Sequence, residues 1–307
     1  MTAADGWLVA LAELGARIAA TTDVEDVVDT VLLGVDELLG FTHSLLLVHE
    51  PETDRLVTLA SRGYDTGGIG SEVAMGQGVI GMAAERRRPM RIGNLQRMLA
   101  YARTVQRAAD DELAGTEILL PGLPDASSQL AAPIVARGVL VGVVAVESPR
   151  AVAFDEDDEH ALAVVGHLAG AALEHDALVA DVAVAEEAAV EAPVAAAARP
   201  AVRLRHYDAD GSTFLDDAYV IKGVAGRLLW KLAGEHVATG RRSFTNREAR
   251  LDPALGLPAW RDNFESRLIL LKRRLEERGA PVRIVGAGRG CFELVVDVPL
   301  DLQLVGG

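Results

Sequence analysis

Between Asp181 and Ala201 the chain reads "DVAVAEEAAVEAPVAAAARPA". It holds alanine, valine and glutamate, two prolines and no aromatic residue. Alanine and glutamate favour helix, but Pro193 and Pro200 interrupt one. Such a segment joins modules rather than forming a core, so 181–202 is expected to be a linker, part helical and part extended. The other reading of the same letters is an extra buried helix. Charge divides at the same place. Residues 1–200 hold 13 Lys+Arg against 31 Asp+Glu, a net of −18, while residues 201–307 hold 17 against 14, a net of +3. An acidic module is joined to one that tolerates a polyanion. The N-terminus lacks a basic n-region, apolar runs are short and broken by charge, and Cys291 is the only cysteine. These features predict a cytoplasmic protein with no membrane span, disulfide or clustered-cysteine metal site.

Ahead of the linker, apolar residues recur at helical spacing over 6–20 and again over 23–39. "SLLLVHE" and "DRLVTLASRGY" read as paired strands. "EVAMGQGVIGMAAERRRPMRI" reads as strand, glycine turn, short helix and strand. Residues 94–127 are irregular, with a helix expected around Met98 to Ala109. "SQLAAPIVARGVLVGVVAVESP" is a long hairpin turning at Ala136-Arg137-Gly138, and "DEDDEHALAVVGHLAGAALEHDALVADV" is a helix with acidic residues in its first turn.

This order, carried by "VAMGQGVIGMAAERRRPMRI" and "LAAPIVARGVLVGVVAVESPRAVAFDEDDEHALAVVGHLAGAAL", resembles a GAF domain over about residues 6–178. The resemblance implies an antiparallel sheet of five or six strands. Terminal helices cover one face, and a small-molecule site lies on the other beneath 94–127. GAF lineages that reduce methionine sulfoxide or attach a bilin need cysteines in this domain, which has none. The Asn-Lys…Phe…Asp-Glu pattern of cyclic-nucleotide GAF domains is absent too.

After the linker, a helix is expected at about 221–235 and a second in "FTNREARLDP", with Thr245 as N-cap and Glu248 at capping-box spacing. In a third helix Phe264, Leu268, Leu271 and Leu275 form one buried stripe, stopped by Gly279 and Pro281. "PVRIVGAGRGCFELVVD" follows as a glycine hairpin. "SRLILLKRRLE" and "VRIVGAGRGCFELVV" resemble the recognition helix and wing of the OmpR/PhoB-type winged-helix domain, over about 203–298. The fold class expected is therefore α+β: a GAF sensor over 1–180, the linker, and a winged helix over 203–300.

The resemblance implies DNA contacts from Arg267, Lys272, Arg273 and Arg274 on the third helix, Arg289 at the wing tip, and Arg242 and Arg247 about the second helix. Arg241, Arg250, Arg261 and Arg283 lie on the same elements. Eleven cations there would neutralise phosphates. Ile269 and Leu270 stand where the family has polar or basic residues, and Cys291 where it has tyrosine. The alternative reading makes Ile269-Leu270 an apolar contact of a non-catalytic dimeric scaffold protein. In the first module His43 opens a strand and could face the ligand, or be a structural histidine. "ERRRPMRI" is an anion or partner patch, or a solvated turn. His160 and His167 share a helix face, read first as helix surface or a dimer seam and second as a metal or haem pair. No catalytic constellation, cofactor or metal is expected. The partners expected are DNA, an unknown small-molecule or protein ligand of the GAF domain, and a second copy of the chain. A ligand would shift the GAF helices, and the linker would carry that shift to two winged helices.

Overall fold

The computed structural model describes residues 3–94, 118–182, 200–257, 264–288 and 290–306. It divides into two compact units, Met1–Asp176 and Ala177–Gly307. The expected helix around Met98 to Ala109 and most of the expected linker fall outside the described residues.

Unit 1 opens with α1 (Ala3–Ala19) and α2 (Val24–Glu37). Asp23 caps α2 by accepting from Asp26 N. Then come β1 (His43–Glu50), β2 (Arg55–Arg62), β3 (Glu72–Ala74), α3 (Gly78–Arg86) and β4 (Met90–Ile92). β5 (Ser128–Ala136), β6 (Val139–Ser148) and α4 (Glu156–Val182) complete it. The strands form one antiparallel sheet, in the order β3-β2-β1-β6-β5-β4. β5 and β6 are buried almost without a break, as central strands covered on both faces must be. A two-residue turn joins them, with Arg137 at φ 47 and Gly138 at φ 78. Positive φ at both positions matches the right-handed strand twist.

Alternation along the strands sorts the side chains. Leu45, Leu47, Ala131, Val143 and Ala145 face α3 and pack with Val79, Ile80 and Ala83. Leu46, Ile134, Val144 and Val146 take the other face. There α4 approaches closely: a Cβ on Gly170 would stand 2.8 Å from Val135 O. Asp155 accepts from Asp157 N and Asp158 N at the start of α4.

Unit 2 holds β7 (Val202–Tyr207), β8 (Thr213–Leu215), β9 (Ala218–Ile221), α5 (Gly223–Thr239), β10 (Ser243–Thr245) and α6 (Asn246–Arg250). A 3-10 turn (Pro253–Leu255), α7 (Phe264–Glu277), β11 (Val282–Gly286), β12 (Cys291–Val296) and β13 (Leu300–Val305) follow. One sheet runs β13-β7-β8-β9, with β13 parallel to β7, and a second runs β10-β12-β11. Phe244, Phe264 and Phe292 pack between the helices and the second sheet, with ring centroids 5.8 and 6.5 Å apart. Thr245 caps α6, accepting from Glu248 N as its spacing predicts. Strands β7, β8, β9, β10 and β13 are additions to the sequence reading, which took this region as helices and a single hairpin.

Candidate functional site

Along β6 the α3-facing positions run Val143, Ala145, Glu147, so a carboxylate ends an apolar row. Glu147 is 7% exposed. Strand register places His43 of β1 beside it on one side and Gln129 of β5 on the other. Three donors serve the carboxylate: Leu123 N at 3.0 Å, Gln129 Nε2 at 2.9 Å and Tyr64 Oη at 3.4 Å. The His43 ring meets Tyr64 edge-on at 5.5 Å, and His43 Nδ1 is 2.9 Å from Thr42 Oγ1. Ala131, Ala145 and Leu45 lie next along the same face, with Met90 and Ile92 at its border. The result is a polar cluster over a floor of small and aliphatic side chains.

Burial pushes the Glu147 carboxyl above the usual carboxylate range, and its three donors offset only part of that. Burial and the adjacent carboxylate also drive the Tyr64 phenol well above the usual tyrosine range. Tyr64 Oη and one Gln129 N–H already donate to Glu147, so what the cluster has left is the remaining Glu147 lone pairs, the Tyr64 oxygen as an acceptor and the second Gln129 N–H. Of these residues only His43 was singled out from the sequence. Glu147, Gln129 and Tyr64 were missed, although a lone glutamate in "GVVAVES" was the available signal. His160 and His167 are both exposed. Among the described residues no group of three His, Cys, Asp or Glu side chains could hold a metal ion.

The basic positions of unit 2 separate by burial. Arg242 and Arg247 are exposed, and Lys272 and Arg273 are half-buried. Arg267 and Arg274 are only 4% and 7% exposed, a correction to their expected place on a phosphate-facing surface. Arg274 ties two elements together: its Nε donates to Val220 O of β9 at 2.9 Å and its Nη1 reaches Glu277 at 2.6 Å. Ile269 and Leu270 are likewise buried, at 7% and 5%, so the exposed apolar contact expected of them is not there. The reason lies in packing: α7 is flanked by α5, α6, β9 and β11, and its described residues present no exposed side chain ahead of Glu276. Arg241 pairs with Glu235 and Glu248 and lies over the Phe244 ring, and Arg283 pairs across the hairpin with Asp297. Arg261 and Arg289 lie outside the described residues.

No curated protein matches this sequence. Among solved structures, the GAF domain of a phosphoenolpyruvate-protein phosphotransferase from Acinetobacter is 18% identical. The match covers 58% of this chain and 98% of that one, with a TM-score of 0.47. Free methionine-R-sulfoxide reductase from Neisseria meningitidis, in complex with its substrate, is 20% identical over 56% of this chain and 91% of that one, at a TM-score of 0.44. A putative GAF sensor protein from Burkholderia vietnamiensis is 17% identical over 57% and 95%, at 0.43. The GAF domain model itself matches residues 21–174, from just after α1 into α4, and so takes in the whole sheet and the Glu147 cluster. By that match, which spans half its length, the chain belongs to the GAF domain family.

Proposed function

We propose that this protein is a non-catalytic, cytoplasmic sensor-regulator. Unit 1 takes a small ligand over the Glu147 cluster, and unit 2 binds DNA as a winged helix. Two copies act together. The observation that carries the DNA-binding half is the order of unit 2: helix, strand, short capped helix, longer helix, hairpin, with the strand closing the hairpin into a three-stranded sheet. In this reading the duplex is met by the surface around α6 and not by α7, which presents no exposed side chain ahead of Glu276. The exposed Arg242 and Arg247 supply phosphate contacts, and such contacts position a protein without reading sequence. Ile269 and Leu270 are buried, so a protein-binding use of unit 2 would need another surface. For the ligand, the cluster suits a small molecule with an apolar body and a donor group directed at Glu147. Among the described residues no helix is long and apolar enough to cross a membrane.

The test is fluorescence anisotropy of the full chain on a random-sequence duplex, titrated with salt. The expected result is affinity that falls steeply with salt and drops about tenfold in Arg242→Ala/Arg247→Ala, whose salt slope is shallower by about two. Absence of binding at low salt would remove DNA from the reading and leave the ligand site standing.

A further inference from the structure

The arginine run at 86, 87, 88 and 91 of unit 1 takes no part in the ligand cluster. Arg86, Arg87 and Arg88 end α3, and all three are exposed. Arg91, in the same run, is different: its Nη1 donates to Phe154 O at 2.9 Å and its Nε is 3.3 Å from Glu159, so it ties β4 to α4. Arg87 takes φ 52 as the cap of α3, and Arg137 takes φ 47 in the β5–β6 turn. Both are left-handed positions that favour glycine or asparagine, because a Cβ there crowds the backbone. Each arginine holds its place against that preference. The two are neighbours: Arg87 Nη1 donates at 2.9 Å to the carbonyl of Gly138, the residue after Arg137. The Arg137 side chain is 61% exposed and pairs with Glu174 of α4 at 3.1 Å. Among the described residues, Arg86 and Arg88 have no ion-pair partner. Val139, beside the turn, is 41% exposed.

We propose that Arg86, Arg87, Arg88 and Arg137 form a docking surface for a short acidic peptide segment with adjacent Asp or Glu residues. Planar guanidinium forks take carboxylates in paired hydrogen bonds. The length of the partner follows from charge. Unit 1, Met1–Asp176, holds 12 Lys+Arg against 27 Asp+Glu, a net of −15, so a long polyanion that extends beyond the patch meets a unit of its own sign. Screening confines the attraction of the patch to about 8 Å at physiological salt. A peptide of a few residues stays inside that range, and Val139 offers it an apolar contact. A carboxylate docked at Arg137 competes with Glu174, so docking is felt by α4, the last helix of the unit.

The full chain is titrated into a fluorescein-labelled oligo-glutamate peptide, and anisotropy is followed at low and rising salt. The expected result is salt-sensitive binding that weakens about tenfold in Arg86→Ala/Arg88→Ala/Arg137→Ala. Arg150→Ala, an exposed arginine at the other end of the β5–β6 hairpin, leaves affinity unchanged. Arg87 is kept in the triple variant because it braces the turn, and an unchanged melting curve shows that the variant is folded. Peptide affinity equal in wild type and triple variant overturns the proposal, as does no peptide binding at low salt. So does duplex DNA that outcompetes the peptide and is itself lost in the triple variant, since the arginines would then serve a nucleic acid.

Discussion

Glu147 shows how one side chain reports its surroundings. A carboxylate at 7% exposure loses most of its hydration, and its three donors return part of what was lost. Its folded-state pKa lies above the ordinary value. The neutral acid is therefore favoured in the fold, and the associated stability is fully present below the unfolded pKa. That stability is lost as pH rises through the folded pKa. Glu147→Gln retains a neutral group of the same size but turns an amide N–H toward a donor. It is expected to destabilise unit 1 by about 1–3 kcal/mol at pH 4. The gap should narrow toward pH 7, where the native glutamate bears the cost of a buried charge. Urea melts of the two proteins across this range measure it, and a gap that widens with pH would show that the donors outweigh burial.

Elements meet through a few close approaches. Gly226 on α5 is one: a Cβ there would stand 1.9 Å from Gly211 O and 3.0 Å from Thr213 Oγ1. The backbone of the β7–β8 turn thus rests directly on the helix. Gly226→Ala forces the two apart and should destabilise unit 2 by about 3 kcal/mol. Far-ultraviolet melts of the full chain check this, and an unshifted transition would mean that the turn can move freely. The Thr245 cap and the stripe of Phe264, Leu268, Leu271 and Leu275, of which Leu268 is half-buried and the rest buried, were legible in the sequence, because each depends on neighbours within a turn or two. Strands β7 and β13 were not, since their pairing joins residues about a hundred positions apart. Burial of Ile269 and Leu270 escaped notice for a related reason. The amphipathic rule assumes one covered face, whereas α7 has neighbours on several.

For the whole molecule, the two-copy reading makes a prediction that sedimentation can check. Leu8 and Val9 on α1 are 69% and 64% exposed, and Val164 on α4 is 40% exposed. The two helices touch, since a Cβ on Gly15 would meet Leu168 at 3.8 Å. These exposed apolar side chains are where the two-copy reading can be tested. The wild type is then expected to sediment as a dimer at micromolar concentration, and Leu8→Glu/Val164→Glu as a monomer. Both side chains are exposed, so the melting temperature should change little. A wild-type protein that sediments as a monomer would refute the pairing.

Sequence alone determined features that depend on neighbours along the chain: the long helices among the described residues, the Thr245 cap, the long hairpin with its Arg-Gly turn, and the GAF pattern. Local propensity and periodicity act over a few residues, so they can be read in order. Tertiary structure decided which strands are neighbours, and with that the site itself. His43, Tyr64, Gln129 and Glu147 are spread over more than a hundred positions, and strand register brings them to one end of one sheet face. It also decided which arginines are available. Arg274 and Arg242 are the same residue type, yet one is bonded to the Val220 carbonyl inside the fold and the other is exposed. Composition counts both as cations, but only packing separates a cation that binds a partner from one that holds the protein together.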